Sequence, residues 1–158
     1  MTKECKQQFT LRITQANATQ LVVILYEMLL CYLEEAQEAL AEGDKDTFKE
    51  SVRKTRGCLN ELMRSLNMEY EPAPVLLQLY LFCIRRLAIG EVRRDTKALA
   101  EVATVIRPLH DAYESVAKQN ESGPIMNNSQ TVYAGLTYGK NTLTENMADQ
   151  GANRGMLV

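Results

Sequence analysis

The stretch Gln20–Leu40, QLVVILYEMLLCYLEEAQEAL, decides how the rest of the chain is read. At helical spacing Leu21, Leu25, Met28, Tyr32, Ala36 and Ala39 form one apolar stripe. Val22, Tyr26, Leu29, Leu33 and Leu40 form a second beside it. A surface helix carries one apolar stripe and a polar back. The first half of this segment has almost no polar side, because Ile24 and Leu30 fill most of what remains. It is therefore expected to be covered on more than one side, by the rest of the fold, by a partner, or by both.

A chain of 158 residues is about one domain long and can bury a real core without disulfides or metals. A net charge of -2 and a pI of 5.5 supply no field favouring nucleic acid or an anionic membrane, so neither partner is expected. The N-terminus MTKECKQQFTLRITQ has no apolar run between its charges and does not read as a secretory signal. No stretch reaches the roughly 20 apolar residues of a membrane span. Cys5, Cys31, Cys58 and Cys83 show no CxxC spacing and read as reduced thiols of a cytoplasmic protein.

Working outward, Phe9, Leu11 and Ile13 are spaced by two, which suggests a short extended segment over residues 1–16 laid on a surface. Asn17 and Gln20 are placed to form a capping box at the start of the first long helix. Gly43 suits its left-handed end, and Asp44 caps a second helix whose seam is Phe48, Val52, Thr55, Leu59, Leu62 and Leu66. The tight turn sets the register of the two helices and brings Glu38 near Lys49 and Glu34 near Arg53. Asn67 is expected to end the second helix, and Pro74 to sit in the first turn of a third, VLLQLYLFCIRRLAIG, closed by Gly90. Asp95 or Thr96 caps a fourth with seam Leu99, Val102, Ile106, Leu109, Tyr113 and Val116. Pro108 is expected to bend it without ending it, since the seam continues in phase. The expected fold is all-α: an antiparallel up-down-up-down four-helix bundle over residues 1–118 with a short N-terminal segment. Residues 119–158, rich in Asn, Gly, Ser and Thr, read as a polar, disordered tail.

Catalysis is poorly provided for, and no catalytic residue, metal or cofactor is expected. His110 is the single histidine. A phosphotransfer bundle needs an exposed histidine beside a cation, and Asp111 and Glu114 would repel the phosphate. A di-iron bundle needs two Glu-x-x-His pairs, and Arg107 stands where the glutamate before His110 would be. Arg85, Arg86, Arg93 and Arg94 read as a solvated helix end or as a seat for an acidic partner. The functional signal is an asymmetry: the second and fourth helices have narrow seams, whereas the first and third carry more apolar surface than one seam uses. Diagonal in a bundle, their surplus faces open on different sides. That fits a long apolar ligand laid into grooves, or a homodimer face plus cover by the chain's own ends.

Four features in order resemble the flagellin export chaperones (FliS) over residues 9–116: the cap followed by QLVVILYE, the turn ALAEGD, the run NELMRSLNMEY, and LQLYLFCIRRL. The chain departs from the family's pattern at Asn17-Ala18, at EPAP, at Pro108 and in its longer tail. The resemblance implies a cytoplasmic helical chaperone that binds the C-terminal segment of flagellin, prevents premature polymerisation and assists delivery to the flagellar type III export gate. The expected groove contacts are Leu21, Leu25, Tyr26, Leu29 and Leu33 with Leu77, Tyr80, Leu81 and Ile84. Phe9, Leu11 and Ile13 take the role of an N-terminal cover over the empty groove. The tail segment LTENMADQGANRGMLV is similar to a flagellin C-terminus, which makes Leu143, Met147, Leu157 and Val158 a candidate pseudo-ligand. Two other readings stay open: a phosphotransfer bundle using His110, and a chaperone of another export partner.

Overall fold

The computed structural model describes residues 1–122, which form five α-helices: α1 (Lys3–Gln15), α2 (Ala18–Glu42), α3 (Lys45–Arg64), α4 (Ala73–Arg93) and α5 (Thr96–Ser122). Among the described residues there is no strand. The helix starts follow local chemistry. Asn17 accepts from the Gln20 amide at 2.8 Å and Gln20 returns the bond to the Asn17 amide at 3.0 Å. Asp44 accepts from the Thr47 amide, and Asp95 from the amides of Lys97 and Ala98. Gly43 ends α2 in the left-handed conformation with φ 79°.

Packing makes this a helical bundle. α2 packs on α3 and α5, and α4 packs on the same two helices. The core runs through Val22, Tyr26, Leu29, Leu33, Phe48, Val52, Leu59, Leu62, Tyr80, Leu87, Leu99, Val102 and Ile106, each 0–1 % exposed. Across the α2–α3 contact, Ser51 donates to the Glu35 carboxylate at 2.5 Å and the Lys54 ammonium lies 5.4 Å from the Tyr32 ring. That register is within one residue of the one expected from the turn. The expected ion pairs do not form, however: Arg53 bonds Glu50 three residues back on its own helix. A same-face neighbour on one helix is reached at less conformational cost than a partner across an exposed groove.

The N-terminal segment is a correction. Residues 3–15 are helical rather than extended, with Thr2 accepting from the Cys5 amide as the cap. Residues two apart lie about 200° apart on a helix, so Phe9 and Leu11 point opposite ways. Phe9 is buried, and Leu11 and Ile13 are 59 % and 38 % exposed. Three further boundaries differ. α3 ends at Arg64 rather than Asn67, and α5, which continues through Pro108 as expected, ends at Ser122 rather than at 118. α4 continues past Gly90 to Arg93 and closes on Arg94, whose amide bonds the Gly90 carbonyl. Gly90 is small for another reason: a Cβ there would sit 2.6 Å from Leu99 Cδ2 of α5. The glycine lets two helices approach closely and does not stop the first.

Candidate functional site

The nine residues expected in a groove divide by burial. Tyr26, Leu29, Leu33 and Tyr80 are 0–1 % exposed and belong to the core. Leu21, Leu25, Leu77, Leu81 and Ile84 are half-buried. On α2, Leu21, Leu25 and Met28 follow at steps of four and three, and so do Leu77, Leu81 and Ile84 on α4. Each set is a flank at the edge of the core. Val75, in the first turn of α4, adds an apolar side chain that is 62 % exposed. The apolar excess seen in the two segments therefore splits. Part of it fills the interior, and the rest lines two flanks that no helix covers fully.

α1 is held on another face of α2 by polar contacts. The Met1 ammonium donates to the Glu35 carboxylate, and Arg12 donates to Glu27 at 2.6 Å. Glu27, Cys31 and Glu35 are one turn apart along a single stripe of α2. Leu25, two residues before Glu27, lies about 200° away round the helix. Phe9 is packed down, whereas Leu11 points to solvent, so the three cover residues do not act as one patch. The tail residues Leu143, Met147, Leu157 and Val158 lie outside the described residues.

His110 of α5 joins the α1–α2 contact. Its Nδ1 is 3.0 Å from Asp111 Oδ1, and its Nε2 is 3.3 Å from Glu27 Oε2. Burial alone would lower its pKa, but the bonds to Asp111 and Glu27 outweigh it and raise the value above the usual histidine range. Burial would likewise raise Glu27, and the bonds from Arg12 and His110 bring it below the usual carboxylate range. A side chain so engaged, only 18 % exposed, is poorly set for accepting a phosphoryl group. Beside the cluster lies a cavity of about 310 Å³ bordered by Arg12, Gln20, Val23, Ile24, Glu27 and Glu114.

This polar cluster was missed in the sequence. Glu27 lies inside an apolar run, and Arg12 sits in a segment read as extended. The visible signal was the His110/Glu114 pair, four apart on one helix. The cysteines are free, as expected. Burial pushes the thiols of Cys58 and Cys83 up to about 12, so they behave as core residues. Half of the basic corner is engaged: Arg86 bonds Glu101 at 2.5 Å and Arg94 lies over Phe48, whereas Arg85 and Arg93 are exposed. Among the described residues no helix is long and apolar enough to cross a membrane.

Among known proteins, the chain is similar to the flagellar secretion chaperone FliS of Bacillus subtilis (strain 168), at 26 % identity over 102 residues covering 65 % of this chain and 77 % of that protein. The family model described as "Flagellar protein FliS" matches residues 1–120, most of the 158, and includes all but the end of the last helix. The chain belongs to the FliS family.

Proposed function

We propose that this chain is a cytoplasmic flagellar secretion chaperone that holds the C-terminal segment of flagellin, keeps it from polymerising early and assists its passage to the type III export gate. In this reading α2–α5 form an antiparallel up-down-up-down four-helix bundle, consistent with α2 and α4 each packing on both α3 and α5. What carries it is the pair of half-buried apolar flanks, Leu21 and Leu25 on α2 and Leu77, Leu81 and Ile84 on α4. A single small-molecule pocket does not account for two flanks on different helices. An amphipathic segment laid helix by helix along the bundle does, because it buries both and needs no chemistry from the chaperone. No catalytic step is assigned. In the free protein the flanks are open to a second copy of the chain or to its own tail residues Leu143, Met147, Leu157 and Val158.

The test is titration of the full chain with a flagellin C-terminal peptide, beside a pull-down from native cytoplasm. Leu25→Glu and Leu81→Glu should lose the peptide while keeping their helical circular dichroism, because desolvating an unpaired charge in an interface costs several kcal/mol, roughly 2–7 for a merely polar group. Wild-type binding by both variants would remove the flanks from the reading. Capture of a different exported protein in place of flagellin would change the cargo and leave the chaperone.

A further inference from the structure

We propose that Glu27, His110 and Glu114 form a site for a divalent transition-metal ion of the zinc, cobalt or nickel class, for which the Arg12 guanidinium competes. The ligand atoms these residues offer lie within 4.8 Å of one another, and all three side chains are half-buried. They come from two helices packed directly together, α2 and α5, so their spacing is set by the fold. His110 and Glu114 are four apart and share one face of α5, the spacing that lets two side chains grip one ion.

The imidazole separates this cluster from an ordinary acidic patch. Asp111, outside the triad, takes His110 Nδ1 at 3.0 Å and leaves Nε2 turned to Glu27. A carboxylate behind the ring fixes its orientation and makes the far nitrogen a better donor. One imidazole nitrogen and two carboxylate oxygens suit a borderline transition ion, with water completing the shell, better than magnesium or calcium, which take oxygen only. The cavity bordered by Glu27, Glu114 and Arg12 gives the water ligands room and the ion a way in. A positive group already rests against the site, since Arg12 lies 2.6 Å from Glu27 Oε1. An ion that takes Glu27 removes one of the polar ties between α1 and α2.

Zinc titration of the full chain in a Cys5→Ser/Cys31→Ser background tests this, read by calorimetry and by the imidazole nitrogens of the single histidine in NMR. One ion per chain should bind, shifting Nε2. His110→Ala should abolish the heat, and Asp111→Asn should weaken binding about tenfold. Arg12→Ala should bind more tightly, a gain that loss of structure does not imitate. Undiminished uptake by His110→Ala, an imidazole signal that stays still at saturating zinc, or no tightening in Arg12→Ala would each overturn the site.

Discussion

The hydroxyls of Tyr26 on α2 and Tyr80 on α4 lie 2.5 Å apart in the interior, where neither residue is more than 1 % exposed. α2 and α4 otherwise meet mainly through the helices they share, so this bond ties the two apolar helices directly. Tyr113 of α5 packs edge-on against Tyr26, with ring centroids 5.7 Å apart. Two phenols that satisfy each other can be buried at little cost, whereas one alone cannot.

Tyr26→Phe and Tyr80→Phe should therefore each destabilise the bundle by about 1–3 kcal/mol, because each leaves a buried hydroxyl without its partner. The double variant should cost less than the sum of the two. Urea denaturation of the four proteins gives the coupling directly. Strict additivity would show that the bond carries no stability.

Two glycines should respond to alanine with opposite signs. At Gly57, inside α3, nothing among the described residues lies within 4 Å of an added Cβ, so Gly57→Ala should stabilise by up to about 1 kcal/mol through helix propensity. At Gly90 the Cβ meets Leu99 at 2.6 Å and the Asp95 carbonyl at 3.3 Å. Gly90→Ala should cost about 1–3 kcal/mol by overpacking. Melting temperatures of the two variants settle the signs.

Thr19 is fully buried, and among the described residues its hydroxyl has no hydrogen-bond partner. Thr19→Val keeps the shape and removes the desolvated oxygen. It should be neutral or stabilising by about 1 kcal/mol. A clear loss in denaturant midpoint would mean that the hydroxyl is satisfied in solution.

The hold on α1 should weaken in acid. Burial alone would raise the Glu35 pKa, but the bonds from the Met1 ammonium and the Ser51 hydroxyl, with Lys54 nearby, bring it below the ordinary glutamate value of 4.5. A carboxylate lowered in the folded state contributes stability that is complete above the ordinary value and lost as pH falls through the lowered one. Protection of the amides in residues 3–15, taken relative to the intrinsic exchange rate at each pH, should fall over that window, and Glu35→Gln should show the lower protection already at neutral pH. Protection that falls equally in α3 would point to general unfolding.

Much of the fold was legible because it is local. The capping box at Asn17 and Gln20, the left-handed Gly43 and the caps at Asp44 and Asp95 are bonds between residues a few positions apart. Where the reading failed, a longer-range contact had overridden a local pattern. Phe9, Leu11 and Ile13 alternate like a strand, yet only Phe9 has a surface to pack on, and a helix capped by Thr2 satisfies the backbone of the whole segment. Gly90 looks like a helix end, yet its size serves Leu99 on the next helix.

The amino-acid pattern by itself determined that the chain is helical, where the long helices start, and that the first and third long segments carry more apolar surface than a seam needs. Periodicity and capping depend on neighbours in the chain. Only the tertiary structure decided which of those apolar residues are interior, such as Tyr26, Leu29, Leu33 and Tyr80, and which remain on a flank, such as Leu21, Leu25, Leu77, Leu81 and Ile84. The same holds for the meeting of Arg12, Glu27 and His110. Burial and charge pairing depend on how helices rotate and approach, and residues 83 positions apart come within 3.3 Å only after that packing is complete.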